Sequence, residues 1–196
     1  MIDDELTRSA YKGLCLQQRK EVMDVFPLLL NKINPKRIIE IGTGCGGLAL
    51  FLKDNLPLTS DLYTFDILSR HYHEALKENN VNLFYENIFE DTPQSWDFYK
   101  VKNNWTYLFN VSPKIVLCDG GNKKAEFNGI SNLLTQGDII MLHDYSTNNE
   151  TFEKLNVWNW LECEYSNIEE MCKVNNLKPY MHEEFLNVAW GCFIKQ

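Results

Sequence analysis

Two groups of residues carry the chemistry of this chain. The first is E-I-G-T-G-C-G-G, residues 40–47, where an acid closes an apolar run and glycines fill positions 42, 44, 46 and 47. Glycines placed this way let the main chain turn tightly and approach a ligand with no Cβ between them. Gly42, Gly44 and Gly47 satisfy G-x-G-x-x-G, and Asp66 follows about 20 residues on, at the end of the next apolar run, as in a dinucleotide fingerprint. Any nucleoside with two ribose hydroxyls wants an acid there, so the pattern alone does not name the ligand. Glu40 discriminates. A pyrophosphate over the turn would be opposed by its carboxylate, whereas a ligand carrying a cation or an amine would be favoured.

The second group lies at the ends of K-I-V-L-C-D-G-G-N-K (114–123) and G-D-I-I-M-L-H-D-Y-S (137–146). Two strand-like runs deliver Asp119, Asn122, His143 and Asp144 towards one place. Carboxylates that converge repel unless they are protonated, paired or bridged by a cation. A hard divalent ion such as Mg²⁺ takes one or two carboxylates together with waters and a substrate oxygen. Asp119 and Asp144 are the candidate metal ligands, and His143 is either a third ligand or a general base. Asn122 is better read as the cap of a helix that begins at 123.

The elements that must hold these residues alternate. Strands are expected at 37–41, 62–67, 81–86, 114–120 and from Gly137. Helices are expected at 14–33, with Pro27 as a kink, from 48 to a stop before Pro57, at 70–79 with Ser69 as N-cap, and at 123–134. Residues 91–112 read as one or two short helices, and 150–176 as two helical pieces, V-W-N-W-L-E-C-E-Y being the first. The tail, 178–195, reads as two strands with no helix between them. Strands alternating with helices mean a parallel α/β sheet, which the tail hairpin extends by an antiparallel strand. In such a sheet ligands bind at the carboxyl ends of the strands.

Composition removes other classes. The 196 residues carry a formal net charge of −8, with lysines and arginines scattered and Lys123-Lys124 the densest pair, so a nucleic-acid partner is not expected. No apolar run approaches the ~20 residues of a membrane helix, so no membrane partner is expected either. The start, M-I-D-D-E-L-T-R-S-A, is polar and acidic, unlike a signal peptide. Six cysteines without a C-x-x-C pair fit reduced thiols in a cytoplasmic protein.

The motif E-I-G-T-G-C-G resembles the first motif of class I S-adenosylmethionine-dependent methyltransferases. The D-G…H-D-Y pair, with Y-K-G-L-C-L-Q-Q ahead of the glycine loop, resembles the cephalosporin hydroxylase or rhamnosyl O-methyltransferase group, over roughly residues 11–145. The resemblance implies a Rossmann-like, doubly wound, mostly parallel seven-stranded sheet in a single domain, 1–196. Residues 1–34 would be an N-terminal helical segment, and 91–112 and 145–176 insertions capping the substrate. It implies S-adenosyl-L-methionine as cofactor, whose sulfonium and amino groups suit Glu40. Glu40, Gly42, Thr43, Gly44 and Gly46 would hold its methionine part, Asp66 the ribose, and Asn87 and Ile88 the adenine, with Ile67 also touching the cofactor. Asp119 would border the cofactor and, with His143 and Asp144, activate a hydroxyl of a small-molecule or saccharide acceptor, with Mg²⁺ as the candidate metal.

Two departures stand out: the group's histidine after D-G is Asn122 here, and Lys123 is one residue out of step with the lysine of catechol-type enzymes, so that role is not assigned to it. The aromatic residues Trp96, Phe98, Tyr99, Trp105, Tyr107, Tyr145, Trp158 and Trp160 either stack on a sugar or ring, or cover a sheet edge or the interface of a homo-oligomer. The competing readings are an NAD-dependent oxidoreductase and a degenerate nucleotide-binding module without turnover.

Overall fold

The computed structural model describes residues 9–70, 73–90, 97–156 and 161–196. In chain order the elements are β1 (Ala10–Tyr11), β2 (Leu14–Cys15), α1 (Val22–Ile33), β3 (Arg37–Ile41), α2 (Gly47–Asn55), β4 (Asp61–Phe65), α3 (Glu74–Glu78) and β5 (Asn82–Phe84). A 3₁₀ helix, Asn103–Asn110, leads to β6 (Lys114–Cys118), α4 (Lys123–Ile130), β7 (Ile139–His143), β8 (Tyr145–Ser146), α5 (Asn149–Leu155), β9 (Cys163–Glu164), α6 (Tyr165–Val174), β10 (Leu177–Pro179), α7 (His182–Leu186) and β11 (Trp190–Lys195).

The main sheet has seven strands in the order β10-β11-β7-β6-β3-β4-β5. All pairings are parallel except those of β11, which runs antiparallel to both β10 and β7. The chain starts in the middle, at β3, and winds outward both ways, so the strand order reverses between β3 and β6. That reversal opens a crevice at their carboxyl ends.

The central strands are apolar on both faces because helices cover both. One face carries Ile38, Leu117, Met141 and Trp190 against Phe26 and Leu29 of α1 and Leu52 of α2. The other carries Ile39, Val116, Ile140 and Phe193 against Phe127 and Ile130 of α4 and Ile168 of α6. Each fully buried side chain of this size contributes roughly 1.5–3 kcal/mol. The opposite end of the sheet is pinned by a buried ion pair between Lys114 and Asp138. Asp138 also accepts from Ser112 Oγ (2.7 Å) and from the Thr135 amide (2.7 Å).

Several sequence expectations are corrected here. The helix expected over 14–33 begins at Val22; ahead of it Lys12, Gly13 and Gln17 take left-handed backbone, and the chain folds into the β1–β2 hairpin. Ser69 does not cap the next helix, which starts at Glu74; residues 71–72 of that expected helix lie outside the described residues. Within V-W-N-W-L-E-C-E-Y, Cys163–Glu164 is a strand that pairs with β8, and the two helices lie on either side, α5 and α6. The tail strands are separated by α7 and are not joined as a tight hairpin. Residues 1–8, and with them most of the N-terminal signal reading, as well as Trp96, Trp158 and Trp160, lie outside the described residues. Among the described residues no helix is long and apolar enough to cross a membrane.

Candidate active site

Five strands end at one cavity of about 650 Å³, within the usual size of a small-molecule site. Its wall includes Gly42 and Gly44 after β3, Asp66 and Ile67 after β4, Asn87 and Ile88 after β5, Asp119 after β6, and His143 and Asp144 at the end of β7. Of the residues expected to touch a cofactor, Glu40, Thr43 and Gly46 are not on this wall. Gly46 faces Leu76, and Glu40 and Thr43 are buried in the layer beneath.

The glycine loop is shaped mainly by the protein itself. Gly42 has φ +92°, and a Cβ there would lie 2.1 Å from the Asp119 carbonyl oxygen. Gly44 would press a Cβ onto the side-chain oxygen of Gln17, 2.2 Å away. The β1–β2 hairpin thus straps the loop, and Gln17 accepts a hydrogen bond from the Cys45 amide (2.7 Å). The other loop amides are also engaged. Those of Gly42 and Thr43 donate to the Phe65 carbonyl, that of Gly44 to Asp66 Oδ2, and that of Gly46 to the Thr43 carbonyl. Five consecutive N–H groups are therefore satisfied internally, which leaves none of them to receive the pyrophosphate that such a loop binds in dinucleotide enzymes.

Asp66 is fixed by the Gly44 amide (2.9 Å) and by the Leu68 amide (2.8 Å). A carboxylate has about four acceptor positions, so both oxygens keep capacity for vicinal hydroxyls. Beside it Ile67 and Leu68 are 72% and 52% exposed, an apolar shelf bordering the cavity. Beneath the loop, Glu40 is 1% exposed and accepts from Thr64 Oγ1, which lies 2.6 Å from Thr43 Oγ1. Burial pushes its pKa up to about 8, against the Thr64 hydrogen bond and with help from the charges of Asp119 and Asp66. Among the described residues it forms no ion pair.

The other half of the cavity is a charged network. Asp119 Oδ1 lies 3.0 Å from His143 Nδ1, and Asp119 Oδ2 accepts from Gln18 Nε2 (2.7 Å). Gln18 in turn accepts from Trp190 Nε1 (2.9 Å), whose ring packs 4.9 Å from the imidazole. Burial opposes a charge on His143, but Asp119 and Asp144 outweigh it and raise its pKa above the ordinary value. Asp144 takes left-handed backbone, φ +54°. Lys123 Nζ stands among the acids: 3.1 Å from Asp144 Oδ2, 2.6 Å from Glu162 Oε2 and 3.9 Å from Asp119 Oδ1. Glu162 reaches it because its own amide and that of Cys163 donate to the Asp144 carbonyl.

Asp119, His143 and Asp144 do converge, as expected. A divalent ion does not fit between them as they stand, because an ammonium already occupies the space among the carboxylates. No metal-binding group of three side chains exists among the described residues. Asn122 caps α4 through the Ala125 amide (3.1 Å).

Sequence reasoning missed Lys123, Glu162, Gln18 and Glu126. The last is a buried carboxyl on the cavity wall that accepts from the Gly120 and Asn122 amides; burial raises its pKa to about 7 against those hydrogen bonds. Its only signal in the sequence is an acid inside the apolar A-E-F stretch. Of the aromatic residues singled out in the sequence, Tyr99 reaches the cavity, while Trp105 packs on Phe65 and Phe84 at the β5 edge.

No protein-family model matches the sequence, and no curated protein matches it significantly. Solved structures do match. The apo structure of CmcI aligns at 16% identity over 96% of this chain and 76% of that one, with a TM-score of 0.66. The match shows the fold, a Rossmann-like, mostly parallel seven-stranded sheet with one antiparallel strand flanked by helices. A Mg-SAM form of CmcI gives a TM-score of 0.62 at 14% identity, covering 97% of this chain and 77% of that one. A candidate caffeoyl-CoA O-methyltransferase from Staphylococcus aureus gives 0.59 at 16%, covering 89% and 83%. In this chain the sheet order, the antiparallel β11 and the cavity at the strand ends position the residues of the site.

Proposed function

We propose that this chain transfers a methyl group from S-adenosylmethionine to an oxygen of a small-molecule or saccharide hydroxyl. The observation that carries the reading is the division of one cavity into two halves. One is a ribose carboxylate, Asp66, beside a loop whose amides refuse a pyrophosphate; the other is the Asp119–His143 pair. The first half disfavours the NAD-dependent alternative, and the second disfavours a module without turnover. The methyl-donor complexes among the structural neighbours support the choice of cofactor.

When bound, S-adenosylmethionine supplies an electrophilic methyl group on a sulfonium. Everything else is the work of this chain. Asp66 would hold the ribose hydroxyls, Ile67 with Asn87 and Ile88 the base, and Glu40 would answer the positive charge from beneath the loop. Holding donor and acceptor in line is worth about 7 kcal/mol or more when the geometry is good. Asp119 orients the His143 imidazole through Nδ1 and stabilises its charge, so the pair is suited to take the proton that leaves the acceptor hydroxyl. Gln18 and Trp190 keep Asp119 and the imidazole in place from the side away from the cavity. Calorimetry with S-adenosylhomocysteine and with NAD⁺ tests the cofactor: binding of the first and none of the second is expected, and the reverse would overturn the proposal.

A further inference from the structure

We propose that the Lys123 ammonium is the resident cation of the acceptor half of the site, and that this chain works without a divalent metal there. The inference rests on the methyltransfer reading and adds to it what neutralises the acids. Four oxygens surround Lys123 Nζ: Glu162 Oε2 at 2.6 Å, Asp144 Oδ2 at 3.1 Å, the Gly120 carbonyl oxygen at 3.2 Å and Asp119 Oδ1 at 3.9 Å. Three are carboxylates from three separate segments of the chain, and the fourth is a main-chain carbonyl. Oxygens of these kinds are what a hard divalent ion collects. Here they are spread at ammonium distances, whereas Mg²⁺ draws its oxygens to about 2.0–2.1 Å in an octahedron.

Lys123 is itself buried, 8% exposed at its side chain, and its stem leaves the first turn of α4, which Asn122 caps. Its three N–H groups have three near acceptors in Glu162, Asp144 and the Gly120 carbonyl, a full complement for an ammonium. Lys123 is therefore a positioning residue. It holds Asp144 and the 119–122 turn in place and leaves proton transfer to Asp119 and His143. A metal ion could enter only by expelling Nζ and would then sit beside a buried positive charge. Glu162 is the second half of the device. The β8–β9 pairing brings it in from the insertion at 145–176, giving the ammonium an acid that neither β6 nor β7 provides.

The test is a titration of the EDTA-stripped full chain with Mn²⁺, read by electron paramagnetic resonance and by calorimetry, which needs no turnover. The wild type is expected to show no saturable uptake at millimolar Mn²⁺. Lys123→Ala is expected to gain a site. The gain should be on the order of thirtyfold, the factor for relieving repulsion between a double and a single charge about 4 Å apart at water's dielectric constant. Lys123→Arg should keep the ion out, and adding Asp144→Asn to Lys123→Ala should abolish the new site. If Lys123→Ala does not fold, Lys123→Met, which keeps the stem and removes the charge, takes its place. Saturable Mn²⁺ binding to the wild type that Asp144→Asn removes would overturn the proposal, as would a folded, uncharged variant that binds no better than wild type. S-adenosylhomocysteine calorimetry run with EDTA reports separately on the cofactor, so a failure there does not resemble a failure of the cation titration.

Discussion

Glu40→Gln should make this protein more stable at neutral and alkaline pH while weakening its grip on a cationic ligand. Burial of Glu40 lifts its pKa from 4.5 to about 8. A raised carboxyl pKa means that the folded state holds the proton more tightly than the unfolded state does. Its contribution is complete below pH 4.5, declines as pH rises, and is gone once pH passes about 8. At 1.36 kcal/mol per unit, the wild type forfeits about 3 kcal/mol at pH 7 and about 5 kcal/mol above pH 8. Glutamine is neutral, can still accept from Thr64, and forfeits nothing. Urea unfolding of both proteins at pH 5, 7 and 8.5 should give curves that nearly coincide at the first pH and separate progressively at the others. The same linkage gives the ligand its hold, because a positive charge beside Glu40 favours the ionised form that folding alone disfavours. Calorimetry with S-adenosylmethionine, which carries the sulfonium, should therefore show wild-type affinity rising roughly tenfold per pH unit towards pH 8, and the variant nearly flat. A stability difference that does not change with pH would refute the reasoning, since it would mean that Glu40 titrates normally in the fold.

Asp138→Asn, which strands the Lys114 ammonium at the base of the sheet, should cost about 3–5 kcal/mol in thermal or urea unfolding. Burial works against the Asp138 charge, but Lys114 and Ser112 hold its pKa below the usual value. Its contribution is thus present above about pH 4 and lost as pH falls through the depressed value, so the variant's deficit should shrink in acid unfolding curves. Gly42→Ala places a Cβ on the Asp119 carbonyl at positive φ and should cost about 2–4 kcal/mol, with ligand affinity falling in parallel in calorimetry. Asp66→Ala should weaken S-adenosylhomocysteine binding by roughly 10–100-fold, the worth of charge-assisted hydrogen bonds to two hydroxyls, and should leave wild-type-like circular dichroism.

Much of the frame is legible because continuous apolar runs can only be central strands here: β3 matches its expected limits, and β6 and β7 start or stop within two residues of theirs. The front of the chain is not legible in that way. Leu14 and Leu16 fit a helical spacing as well as a strand, and nothing local announces that Lys12 and Gln17 take left-handed backbone. The cavity wall follows a similar division. Asp66, Asn87, Asp119, His143 and Asp144 sit at strand ends, where topology alone assigns them. Lys123 was within reach, next to Asn122, but its role depends on Glu162, 39 positions away, and no spacing rule links the two. Glu40 illustrates a subtler limit: its type hints at a cationic guest, but only the structure shows that it lies beneath the floor of the cavity and not on its wall.

The pre-engaged amides of residues 42–46 have a consequence for life in a crowded metabolite pool. ATP, ADP and the nicotinamide dinucleotides share an adenosine with the proposed donor and could compete for Asp66 and the apolar shelf. Their phosphates would find no vacant donor along this stretch of backbone. Selectivity among adenosine compounds would then come less from an attraction peculiar to the right one than from the turn having withdrawn its welcome to the others.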